Sequence, residues 1–81
     1  MLANRDGTVT IRANIAGEVE LRATVGDTII PRQIIAIVEG DHEIESLSVR
    51  RASVVIEQLV TCGSEVEAQA PLMVVQELQD D

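Results

Sequence analysis

The sequence predicts an all-β domain, a flattened barrel or sandwich built from two quasi-symmetric four-stranded halves, and three observations lead there. Short runs of β-type residues alternate with turn signals at intervals of about ten residues. No segment keeps a helical period for more than a turn or two. The chain also repeats itself: VGDTIIPRQIIAIV, Val25 to Val38, lies over CGSEVEAQAPLMVV, Cys62 to Val75, with a turn glycine, a polar residue, a short extended piece and an aliphatic strand in the same order.

The elements follow in sequence. Strands are expected at Thr8 to Ala13, Glu18 to Ala23, Gln33 to Val38, Ile44 to Val49, Val54 to Val60 and Leu72 to Glu77, with shorter extended pieces at Thr28 to Ile30 and Glu65 to Glu67. Gly17, Gly26-Asp27, Gly40-Asp41 and Gly63-Ser64 mark the turns between them, because glycine reaches positive φ without steric cost. Pro31 and Pro71 are expected at strand entrances, where a missing N–H is tolerated. Upstream of each repeat glycine a further strand matches, Glu18 to Ala23 against Val54 to Val60, with one extra residue in the later copy. Each half is then expected to cover the other's apolar face, with residues 1–7 as an N-terminal extension, 8–78 as the domain and 79–81 as an acidic end.

Composition limits the core and the partners. The 81 residues suffice for one small domain, which buries only about 60–65% of its unfolded surface. There is no Phe, Tyr or Trp, yet 46% of the chain is hydrophobic, so Val, Ile, Leu and Ala must build the interior. A net charge of −8 repels phosphate backbones and anionic lipid, and no aromatic ring is present to stack on a base. Nucleic acid and membrane surfaces are therefore not expected as partners. The six cations are all arginine; lysine is absent. MLANRDGTVT lacks the charged-then-apolar pattern of a signal peptide, no apolar run approaches the roughly 20 residues of a membrane span, and a cytoplasmic location is the expectation.

The hairpin VEGDHEIES, Val38 to Ser46, sits where the two halves join. Gly-Asp between alternating strands suggests a tight turn of type II′ character with Asp41 and His42 at an exposed tip. Taken with TIRANIAG, VGDTI, QIIAIVEGDHEIESLSV and ASVVIEQLVTCGSEVEAQAPLMVV, this hairpin resembles the biotinyl/lipoyl-carrier superfamily, and most of all the lipoyl domain of dihydrolipoamide acyltransferases, over about Thr8 to Gln76. In those domains the hairpin reads VEGDKA or VETDKA, and its lysine becomes lipoylated; biotinyl carriers have Met-Lys-Met there. Val38, Glu39, Gly40 and Asp41 follow the lipoyl version, and His42 stands where the resemblance places the lysine. Ser53 stands where such domains usually have glycine, and Val49-Arg50 where proline is common, so the turn before the later half is expected to differ in detail.

The substitution changes the chemistry. Lipoate and biotin are held by a stable amide on a primary amine, whereas an acylated imidazole is an activated acyl group that water hydrolyses. With no lysine elsewhere, neither cofactor is expected. Three readings of His42 stay open: an exposed polar residue left after loss of a lysine, a pH-sensitive recognition residue among the carboxylates of Glu39, Asp41, Glu43 and Glu45, and a ligand in a weak, open metal site. Strand alternation sends Glu43 and Glu45 to one side and Ile44 to the other.

Other residues carry less. Cys62 is expected as a partly buried turn cysteine, because one histidine at a distant tip gives a thiolate no base. Asp27 is expected to serve its turn through the backbone, Arg50-Arg51 to form a solvated basic corner, and the dispersed carboxylates to contain no general acid and base pair. The function expected is that of a non-catalytic lipoyl/biotinyl-like module, not an enzyme, which associates through Glu39, Asp41, His42 and Glu43 with a carboxylase-type or 2-oxo acid dehydrogenase-type complex, or with itself. The alternative is an acyl or carboxyl carrier domain whose attachment lysine has become histidine.

Overall fold

The computed structural model describes residues 7–78. Eight strands form: β1 (Thr8–Arg12), β2 (Gly17–Leu21), β3 (Thr28–Ile29), β4 (Ile34–Glu39), β5 (Ile44–Ser48), β6 (Ser53–Gln58), β7 (Glu65–Val66) and β8 (Pro71–Glu77). They make two four-stranded antiparallel sheets, ordered β1-β8-β6-β3 and β5-β4-β2-β7. The expected flattened barrel or sandwich is thus the fold observed, with every expected strand present. Among the described residues no helix is long and apolar enough to cross a membrane. The outer parts of the expected N-terminal extension (1–6) and the acidic end (79–81) lie outside the described residues.

The internal repeat is written into individual hydrogen bonds. Gly26 N–H donates to the Val55 carbonyl (2.8 Å) and Gly63 N–H to the Val19 carbonyl (2.7 Å); Arg32 N–H donates to Val49 (3.0 Å) and Gln69 N–H to Ala13 (2.7 Å). Each bond of one half reappears in the other with the halves exchanged. The turns match too. Asp27 N–H closes on Thr24 (3.0 Å) and Ser64 N–H on Thr61 (3.1 Å), with Gly26 and Gly63 at φ 96° and 92°. Gln33 N–H closes on Ile30 (3.2 Å) and Ala70 N–H on Glu67 (3.1 Å), with the third turn residue, Arg32 or Gln69, at φ 73° or 74°, as a type II turn requires. Asp27 also serves its turn as expected, its carboxylate accepting the Thr24 N–H at 2.9 Å.

The halves do not face each other as separate layers. One sheet takes β1 and β3 from the first half with β6 and β8 from the second; the other takes β5 and β7 with β2 and β4. Neither half could bury its apolar residues alone. The extra residue of the later copy is absorbed as a bulge, where the register between β6 and β8 shifts between Val55 and Glu57 and Ile56 is left over.

Two placements need correction. Gly17 is the first residue of β2, not a turn residue, and a Cβ there would lie 2.3 Å from the Glu39 carbonyl oxygen. Glycine is needed because two backbones approach, not because φ is positive. Pro31 lies within the type II turn before β4, whereas Pro71 does open β8. At Ser53, where the resemblance leads to an expectation of glycine, the buried hydroxyl donates to the Arg51 carbonyl at 2.8 Å.

Two aliphatic clusters fill the interior. One contains Ala23, Ile29, Ile35, Val49, Val55, Met73 and Val75, with Val9 and Ile11 packed on it. The other contains Ala13, Val19, Ala36, Val38 and Leu72, with Ile15, Leu47, Val60 and Val66 packed on it. Leu21 touches both and joins them. Without aromatic rings to span the gap between sheets, interdigitated β-branched residues reach the close packing that a thin core demands.

Candidate functional site

The β4-β5 hairpin closes on one bond, Gly40 N–H to the Glu43 carbonyl at 2.8 Å, which leaves Asp41 and His42 as a two-residue tip. Positive φ among the described residues occurs at Gly7, Gly26, Arg32, Gly63 and Gln69 and at none of the tip residues. The type II′ expectation therefore fails: Gly40 stands one place before the bend, where its small size is what matters. A Cβ at Gly40 would lie 2.9 Å from the Ala16 carbonyl oxygen and 3.4 Å from Ile15 Cδ1. Gly17 and Gly40 are thus the contact that lets the β1-β2 loop brace the hairpin.

A polar tie reinforces the brace. The Glu45 carboxylate accepts the Asn14 backbone N–H at 2.8 Å, and its other oxygen accepts the Asn14 side-chain amide. Glu45 is consequently occupied in holding the hairpin base and is not free to pair with His42. Asp41, His42 and Glu43 are all exposed, and His42 makes no hydrogen bond or ion pair among the described residues. Alternation along β5 turns Glu45 and Leu47 inward and Ile44 outward, where it remains 67% exposed. Of the four residues expected at the recognition surface, Asp41, His42 and Glu43 lie together at the tip. Glu39 sits at the hairpin base on the outer face of β4, directly beside Glu18 of β2, which in turn adjoins Glu65 of β7.

Two of these carboxylates, Glu18 and Glu39, line an open groove of about 260 Å³ together with Glu20, Ile37 and Cys62 among others. Cys62 is exposed there, contrary to the partly buried position expected, because it occupies the second place of the Thr61–Ser64 turn, whose bend carries the side chain outward. Its sulfur accepts the Leu21 N–H at 3.3 Å. The groove lining contains no histidine. Among the described residues, no group of three or more His, Cys, Asp or Glu side chains is arranged to hold a metal ion.

Lipoate and biotin, the groups such a hairpin carries in the domains it resembles, do not fit these residues. The tip offers an imidazole, and the whole sequence has no lysine. The Asn14–Glu45 tie was not foreseen from the sequence. In the second half the places of Asn14 and Ile15 are taken by Arg50 and Arg51.

No family model and no curated protein matches the chain. Six solved chains do. One is a single-chain, multi-domain long-chain acyl-CoA carboxylase, at 24% identity and a TM-score of 0.81 over 96% of this chain. Another is a protein of the succinylglutamate desuccinylase/aspartoacylase family from Shewanella amazonensis, at 18% identity and a TM-score of 0.72 over 86% of this chain. The chain spans 8% and 20% of the lengths of these two proteins. At such identities the likeness establishes the fold, which agrees with the flattened barrel or sandwich expected from the sequence.

Proposed function

We propose that this chain is a non-catalytic lipoyl/biotinyl-like domain whose braced hairpin serves protein recognition, in the assembly or regulation of a carboxylase or 2-oxo acid dehydrogenase type complex. The observation that carries the reading is the combination at one place: a hairpin held rigid by the Gly17–Gly40 contact and the Asn14–Glu45 tie, bearing an exposed His42 in place of an amine. A brace of this kind preserves tip geometry, and recognition needs that geometry as much as group transfer does. The fold shared with part of an acyl-CoA carboxylase supports the choice of complex.

Titration of the ¹⁵N-labelled chain with candidate carboxylase and 2-oxo acid dehydrogenase components tests it. Amide shifts are expected at Glu39 to Ile44 with one such component, and Asp41→Lys should weaken binding roughly tenfold or more. No response from any component would contradict the reading.

The second reading, a carrier domain whose lysine has become histidine, is favoured by the same preserved brace. His42→Lys incubated with a lipoate or biotin ligase separates the two. Full modification of the variant would show that the tip still has carrier geometry; none would show that the hairpin has diverged toward binding.

A further inference from the structure

The quasi-twofold relation exposes a vacancy at the end of the barrel opposite the hairpin. At the hairpin end, Ile15 packs against the cluster that contains Ala13 and Val38, with its Cδ1 beside Gly40, and closes that end of the core. At the other end Val49 and Val75 take the places of Ala13 and Val38, but the residue matching Ile15 is Arg51, which is exposed. What remains is a slot of about 200 Å³ walled by Val9, Ile11, Val49 and Val75, with Arg50 and Glu77 also in its lining. The molecule itself shows what such a slot accepts: one aliphatic side chain.

The chain also displays a matching knob. Ile44 is 67% exposed, the highest value among the large hydrophobic side chains of the described residues, and it follows directly on the acidic tip of Asp41 and Glu43. The slot lies beside Arg50-Arg51, the only basic pair in the sequence, and neither arginine makes an ion pair among the described residues. β5 runs from the knob at its first residue to the edge of the slot at its last, Ser48, so the two features stand at opposite ends of one molecule.

We infer that a second copy of this chain is the occupant: Ile44 of one copy enters the slot of the next, with the acidic tip against Arg50-Arg51, in a head-to-tail contact. Opposite charges meet locally, while repulsion between two chains of net charge −8 is screened beyond roughly 8 Å at physiological salt. Because knob and slot stand at opposite ends, two copies cannot make both contacts with each other at once, and the contact is heterologous. The contact uses the same hairpin tip as the proposed partner recognition, so the two compete for it, while the slot belongs to self-association alone.

Two variants test it together. Ile44→Ser removes the knob and leaves the slot; Arg51→Ile supplies in cis the residue that Ile15 supplies at the other end, filling the slot and leaving the knob. Sedimentation equilibrium of the full chain from about 10 μM to 1 mM, a range suited to a contact of this size, should show mass rising with concentration for the wild type. Each variant alone should associate roughly tenfold or more weakly than the wild type. Mixed, they should form a 1:1 pair that grows no further, because only one knob and one slot remain. Should Arg51→Ile fold poorly, Ser48→Leu closes the slot from an exposed lining position. A wild type that stays monomeric, a variant that associates alone as strongly as the wild type, or a mixture that does not pair would each overturn the inference. So would contacts from the chain's own residues 1–6 to the Val9 and Val49 methyls in dilute solution.

Discussion

The two ends of the barrel are built on one backbone plan and finished differently. At the hairpin end Gly40 N–H bonds the Glu43 carbonyl at 2.8 Å and the chain runs on through Asp41 and His42; at the opposite end the matching bond joins Glu77 N–H to the Gly7 carbonyl, also 2.8 Å. Where Gly17 is pressed against the Glu39 backbone, the other end has Ser53, with room for a side chain. Where Ile15 and the Asn14–Glu45 tie seal the hairpin end, the other has Arg50-Arg51 and an open slot. The core compensates: small Ala13 and Ala36 lie under the sealed end, and larger Val49 and Met73 under the open one. Symmetry thus supplies two equivalent ends, and side chains make one of them a rigid platform.

The sharpest way to break this comparison is to substitute the paired positions Gly17 and Ser53. Gly17→Val places a branched side chain on a Cβ site 2.3 Å from backbone, so a loss of at least about 3 kcal/mol, or failure to fold, is expected in urea titration. Ser53→Ala loses one buried hydrogen bond and should cost only about 1 kcal/mol. Equal effects would refute the asymmetry.

Ile35 and Leu72 come next. They hold matching bulge positions, one in each cluster, and both are fully buried. Ile35→Ala and Leu72→Ala should each cost roughly 2–5 kcal/mol, as for a cavity in a core that cannot collapse. A much smaller loss for Leu72 would mean that the platform end is loosely packed. The smallest effect is expected at the tie. Asn14→Ala should lower stability by about 1 kcal/mol and speed amide exchange at Gly40 to Ile44, leaving Gly7 and Glu77 unchanged.

Periodicity carried most of the fold. Alternation placed all eight strands within a few residues, and the repeat of VGDTIIPRQIIAIV in CGSEVEAQAPLMVV announced the quasi-twofold plan. What alternation could not show was how the halves interleave, because strand pairing between distant segments leaves no local mark. Glycine was misread for the same reason: Gly17 and Gly40 answer to a close approach between segments far apart in sequence, which resembles a turn signal when read locally. At the site, the tip residues were legible from VEGDH. The Asn14–Glu45 tie was not, since a carboxylate beside a histidine suggests pairing until a nearer amide is seen to claim it. Cys62 came out exposed because position within a turn, rather than residue type, decides where a side chain points.

The account rests on the chemistry of the tip, and the intact mass of the protein isolated from cells that produce it addresses that directly. The bare polypeptide mass is predicted, with no lipoyl or biotinyl addition, since position 42 offers an imidazole and the chain holds no lysine. A stable adduct of either cofactor, mapped to the Val38–Ser46 hairpin, would contradict the account.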